Sequence, residues 1–330
     1  MPSPAYIFLD LNQWIYLARD YFGRSQTKGH SGIATALLHR VQNDEVRLPL
    51  GTVHFLEHLQ NETPARRERL AEVFELYSQG WCFASWSDIC RSEIQQGLSQ
   101  VFRGIPPVRP QVFGRGFMFT ASAGGREIVW KDRTRESIAF FSAVSAQPGA
   151  LFDLLTTTIE ANRRQQKVST AKLSLDNAVA AEDLRLRRRE CSRQEYRRAQ
   201  YATAILEHER VICDQLALMQ RSIHDFLALG ERGLSLWSDI PSVDTDCELT
   251  AYRDRQWSRK IQPNDVRDLA QLAVAVPYCD AVVVEKFWKR AIAETGLGRK
   301  YGTEVFCDLA ELAAYLQSKP RAKWASAAAK

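Results

Sequence analysis

Five short apolar runs, each beside an amphipathic stretch, constrain this chain more than any other feature. They are Tyr6-Ile7-Phe8-Leu9-Asp10, Arg47-Leu48-Pro49-Leu50, Trp81-Cys82-Phe83-Ala84, Ala281-Val282-Val283-Val284-Glu285 and Gly302-Thr303-Glu304-Val305-Phe306-Cys307. Apolar runs bounded by turn signals read as strands buried on both faces, and helical periodicity between them supplies the crossovers that keep the strands parallel. Helices are expected from Gln13 to about Phe22, Gly32 to Gln42, Thr52 onward, Pro64 to Ser78, Asp265 to about Val276, Phe287 to Glu294 and Leu309 to Leu316. The expected fold is α/β, a parallel five-stranded sheet flanked by helices.

The alternation stops between about Trp86 and Gln262, where the pattern turns mainly helical apart from a Gly- and Pro-rich stretch around Gly104 to Gly125. A discontinuous core over residues 1–85 and 263–318, a helical insert over 86–262 and a basic tail over 319–330 without periodicity account for the 330 residues. With 45% hydrophobic and 25% charged residues, the composition excludes wholesale disorder and fibrous folds. No apolar run reaches the length of a membrane span, and Met1-Pro2-Ser3-Pro4-Ala5 lacks a signal-like n-region, so a cytoplasmic protein without a membrane partner is expected. The seven cysteines include no CxxC pair and read as reduced thiols.

Ligands of open parallel sheets gather at the carboxyl ends of the strands. Asp10 closes the first apolar run and Glu285 the fourth, Glu57 falls in the helix after the second strand, and Asp268 lies one turn into the helix before the fourth. Four carboxylates brought to one edge would repel one another unless a cation neutralised them, and Mg²⁺ or Mn²⁺ suits such oxygen donors. A site of that kind hydrolyses phosphodiesters. Asp265 is a reserve metal ligand, although an acid at a helix start also reads as a cap. Asp280, at the other end of the fourth strand, reads as structural.

The segments Phe8-Leu9-Asp10-Leu11-Asn12, Leu48-Pro49-Leu50-Gly51-Thr52 with Glu57, and Asn264-Asp265-Val266-Arg267-Asp268 through Glu285 resemble the motifs of PIN-domain nucleases. The resemblance covers residues 5–84 and 264–317. It implies a Rossmann-like sheet with an acidic pocket for Mg²⁺ or Mn²⁺ and cleavage of RNA, sometimes DNA. Asp10, Glu57, Asp268 and Glu285 match the four acids, and Asn12 matches the polar residue two places after the first, which would orient substrate or a metal-bound water. Two departures stand out. The fourth acid is Val284-Glu285 where the family usually has Thr or Ser before Asp, and the helical insert has no counterpart in a minimal PIN domain.

A competing motif overlaps the second acid. His54-Phe55-Leu56-Glu57-His58 matches H-x-x-E-H, in which two histidines one turn apart bind zinc and the glutamate acts as base, with Glu136 a conceivable third ligand. A zinc-dependent peptidase is therefore an alternative expectation. A catalytically inactive PIN-like module that binds nucleic acid or protein is another.

Net charge is only +5, but seven arginines against two glutamates crowd Leu184 to Tyr201. On one continuous helix, Arg189, Arg193 and Arg197 would recur every fourth residue as a ridge, with Arg188 beside it, and such a ridge neutralises phosphates without reading sequence. Nucleic acid is the expected partner, RNA ahead of DNA. An inhibitory or effector protein, a homo-oligomer, and a toxin-like or phage-defence role are compatible with an unrestrained nuclease, though no residue specifies them.

Overall fold

The computed structural model describes residues 3–24, 32–61, 63–102, 109–121, 135–157 and 160–318. The expected basic tail, 319–330, and part of the Gly- and Pro-rich stretch lie outside them, and the side chain of Glu136 is likewise not described.

The chain is α/β and mostly helical, and its sheet has four parallel strands. Strand β1, Ala5–Leu9, leads into helix α1, Leu11–Tyr21; helix α2, Ile33–Gln42, precedes β2, Val46–Arg47. Helices α3, Thr52–Gln60, and α4, Pro64–Ser78, then lead to β3, Trp81–Phe83, and helix α5, Trp86–Val101. Strand β4 is Phe113–Arg115, β5 is Ala281–Val283 and β6 is Glu304–Phe306.

The sheet order is β2-β1-β5-β6, with Ala5 opposite Val46, Leu9 opposite Val283, and Val283 opposite Phe306. A single five-stranded sheet is not what forms. The third expected strand, β3, pairs antiparallel with β4 and meets the sheet only through a parallel bridge between Leu50 and Cys82. Pro49 cannot donate a ladder hydrogen bond, which limits β2 to a short strand and leaves Leu50 as the one point of pairing, through Leu50 N–H to the Trp81 carbonyl and Phe83 N–H to the Leu50 carbonyl.

Two compact units result. The first comprises residues 1–85, 112–170 and 278–330, the second 86–111 and 171–277. The division differs from the sequence reading in two places: residues 112–170 join the sheet-bearing unit, and most of the helix Asp265–Tyr278 joins the helical one. In the first unit, Ile7, Leu9, Ala281 and Val283 face a core with Trp14, Leu17, Leu37 and Phe74. Full burial of a side chain such as Phe74 contributes roughly 1.5–3 kcal/mol. The second unit packs Cys90, Ile94, Tyr201, Ile212, Leu216 and Trp237 into its own core. Among the described residues no helix is long and apolar enough to cross a membrane.

Candidate active site

In the order β2-β1-β5-β6, the chain leaves β1 toward one side of the sheet and leaves β5 toward the other. The crevice beyond the carboxyl ends of β1 and β5 is the topological switch point, where open α/β sheets place ligands. Asp10 and Glu285 stand there.

Asp10 is the residue after β1 and the N-cap of α1, so the helix begins at Leu11, two residues before the expected Gln13. Its Oδ1 accepts from the Gln13 amide at 3.0 Å, and its own amide donates to the Val283 carbonyl of β5 at 3.1 Å. Asp at an N-cap satisfies an otherwise orphaned N–H of the first turn, which is why the helix starts here. Glu285, exposed, occupies the N-cap position of the helix Lys286–Thr295 without a side-chain capping bond. Asn12 Nδ2 donates to Glu285 Oε1 at 2.8 Å and so ties the ends of the two strands together. At the opposite end, Asp280 accepts from the Tyr6 amide at 2.8 Å, consistent with its structural reading.

Glu57 reaches the same unit through α3. The α3 helix is pinned to β1 by His54, whose Nδ1 accepts from the Gly51 amide at 2.9 Å and whose Nε2 donates to the Leu9 carbonyl at 2.9 Å, one residue before Asp10. Glu57, half-buried, follows one turn later. The same bonds count against zinc. Both ring nitrogens of His54 are occupied, and burial pushes its pKa down to about 4, so the neutral ring holds backbone and offers no lone pair to a metal. His58 is fully buried against Phe74 and is also pushed down to about 4 by burial. His54 is thus engaged by backbone through both ring nitrogens, while the two ring nitrogens of His58 are buried without a hydrogen-bond partner among the described residues.

Asp268 and Asp265 belong to the second unit. Asp268 is half-buried in the first turn of the helix Asp265–Tyr278. Asp265, 1% exposed, is spent as an ion-pair partner: Arg259 reaches both its oxygens at 2.6 Å, and the Gln262 amide adds a third bond at 2.8 Å. A carboxylate so engaged is a cap and an anchor, so the reserve metal ligand is withdrawn.

The continuous arginine ridge does not form. The helix Glu160–Arg187 ends at Arg187, and Ser192 starts a new one, Arg193–Glu207, through a capping box with Glu195. Arg188 Nη2 donates to Thr203 Oγ1 at 2.8 Å, and Arg197 pairs with Glu248. Arg189 is exposed beside the Trp257 ring, at 5.8 Å, and Arg193 is exposed at the helix start. Tyr196 and Tyr201 are buried, donating to Asp254 at 2.8 Å and Asp244 at 2.7 Å, so they pack and do not stack on bases.

One cluster escaped the sequence reading. Beyond the carboxyl end of β6, Cys307, Asp308 and Glu311 place potential ligand atoms within 4.8 Å of one another, the one such group among the described residues. Lys289 already serves it, donating to both Glu311 oxygens at 3.0 and 2.8 Å; that bond raises the Lys289 pKa and holds the Glu311 carboxyl below its usual range. Gln13 Nε2 donates to the Cys307 carbonyl at 3.3 Å, joining this corner to α1. The strand-end rule that found Asp10 would have found Asp308, two residues beyond β6.

Comparison of the chain with protein families, curated proteins and solved structures returned no match.

Proposed function

We propose that the protein is a metal-dependent nuclease of PIN-like type, with RNA ahead of DNA as substrate. The observation that carries this reading is the hydrogen bond from Asn12 to Glu285, which sets two carboxylate-bearing turns, Asp10 and Glu285, side by side at the switch point. The parallel pairing of β1 with β5, which puts the ends of those two strands next to each other, is the part of the fold that supports the reading.

The donor chemistry suits a hard cation, although among the described residues Asp10, Glu57 and Glu285 do not bring three ligand atoms within 4.8 Å of one another. Asp10 and Glu285 offer carboxylate oxygens, and Mg²⁺ is held by one or two carboxylates while keeping several waters. Bound there, Mg²⁺ or Mn²⁺ would activate water and offset charge on the phosphodiester. The chain's own residues hold the arrangement. The Gln13 amide orients the Asp10 carboxylate, Asn12 fixes Glu285, and His54 anchors the helix that carries Glu57 to the last residue of β1.

Incubation of the purified chain with labelled single-stranded RNA and DNA, in Mg²⁺, Mn²⁺ or EDTA, tests this reading. Metal-dependent cutting that disappears in EDTA and in Glu285→Gln is the expected result. Tight binding without cutting in either metal would replace the enzyme with a binding module.

A further inference from the structure

A cavity of about 370 Å³ opens between α1 and α4 in the first unit, within the size range of small-ligand sites. Four arginines line it, Arg19, Arg24, Arg66 and Arg69, and among the described residues no acidic residue does. None of the four has an ion-pair partner among the described residues. Its floor is apolar, formed by Ile15, Phe22 and Leu70, with Arg69 lying 5.9 Å over the Phe22 ring.

Helix physics makes this concentration costly as it stands. The N-terminus of α4 carries the positive end of the helix dipole, its N-cap Thr63 makes no side-chain capping bond, and its first turn has no acid. Arg66 and Arg69 add positive charge at that end, while Arg67 is turned away onto the Asn61 carbonyl at 2.9 Å. An anion in the cavity would offset both the four arginines, which have no ion-pair partner among the described residues, and the helix end.

One face of α1 runs from the switch point to the cavity. Asn12, Tyr16 and Arg19 are all exposed and recur at the spacing that places residues on one face of α1, and Arg19 lies 5.6 Å from the Tyr16 ring. Seven residues of helix rise by about 10 Å, the length of about three stacked nucleotides of one strand.

We infer that this cavity binds a nucleotide of a single-stranded nucleic acid, its phosphate on the arginines and its base against Phe22 and Ile15, about three nucleotides from the bond held at Asp10 and Glu285. The inference rests on the nuclease reading for that register. The cavity's own preference for phosphate plus base does not depend on cleavage.

The test is fluorescence anisotropy of a labelled single-stranded hexanucleotide in EDTA, on the full-length chain carrying Asp10→Asn, with and without Arg66→Glu and Arg69→Glu. Glutamates near a helix N-terminus are favourable, so these variants should keep the fold, and Arg19→Gln with Arg24→Gln provides an independent pair. The salt dependence of log K is expected to flatten by about 1.4, two phosphate contacts at about 0.7 each, with affinity at least roughly tenfold weaker. An abasic strand should bind roughly tenfold more weakly than the hexanucleotide through lost stacking. Unchanged affinity in both arginine pairs, or equal binding of the abasic strand, overturns the inference. Adenosine monophosphate that competes as well as the hexanucleotide overturns the strand path and leaves a free-nucleotide pocket. Binding that depends on the arginines while the native chain cuts nothing in Mg²⁺ or Mn²⁺ would retain the cavity and reject the nuclease. Metal-dependent cutting indifferent to the arginines would do the reverse.

Discussion

Asn12 and Glu285, 273 residues apart in the chain, are joined by a hydrogen bond of 2.8 Å that closes the gap between the ends of β1 and β5. The amide can donate to the carboxylate without adding charge, so the pair leaves the glutamate's second oxygen for other chemistry. Asn12→Ala should lower cleavage by roughly 10- to 100-fold, the usual cost of removing a group that orients a ligand, with little change in thermal stability because both residues are exposed. Asn12→Asp should be worse, because it sets two carboxylates against each other. Rates of RNA cleavage beside melting curves separate these effects.

His54 holds two backbone groups that water cannot reach. Replacing it with alanine orphans the Gly51 N–H and the Leu9 carbonyl and opens a cavity among Phe8, Trp14 and Phe74, whose rings surround it. The expected loss is about 3 kcal/mol, measured by urea unfolding. Zinc content should be unaffected, since both ring nitrogens of His54 are hydrogen-bonded to backbone.

The two units should respond to pH in opposite directions. In the first, His54 and His58 are pushed down to about 4, below an ordinary 6.5, so the unfolded chain binds more protons between those values. Their contribution is present above about pH 6.5 and is lost as pH falls toward 4. In the second, burial first and the Glu207 carboxylate next push Asp246 up to about 7 from 3.8. Its contribution is present at low pH and is lost as pH rises toward 7. Hydrogen exchange of each unit at pH 5 and pH 7.5 should show the first unit better protected at the higher pH. Asp246→Asn should flatten the response of the second.

Asp265 serves structure through Arg259, so Arg259→Ala should destabilise the second unit by roughly 2 kcal/mol, by leaving a buried carboxylate without its counter-ion. Asp265→Asn with Arg259→Gln should recover part of that loss. Cleavage by the folded double variant should persist, because neither residue is assigned to the chemistry.

Much of the fold was legible because buried strands are written as apolar runs: four of the five expected runs contain a strand, and the fifth, Arg47–Leu50, overlaps β2 only at Arg47. Their pairing was less legible. Pro49 shortens β2, and the partner of β3, Phe113–Arg115, lies in a Gly-rich stretch with no strand periodicity. Asp10 and Glu285 could be read because an acid closing an apolar run has a fixed place in a parallel sheet. His54 and His58 misled, since a five-residue motif does not say which way a side chain points. The arginine ridge failed at Ser192, whose capping box with Glu195 is itself legible and breaks the four-residue spacing. Cys307, Asp308 and Glu311 were missed because the last strand was followed only to Cys307.

The most direct test of the central claim is the cleavage of labelled single-stranded RNA by the native chain and by Asp10→Asn, in Mg²⁺ or Mn²⁺. Asparagine caps a helix as well as aspartate, so α1 should persist and any loss reports on the carboxylate's chemistry. The account predicts metal-dependent cutting by the native chain, its loss in Asp10→Asn, and nearly unchanged RNA binding. Equal cutting by both proteins would contradict it.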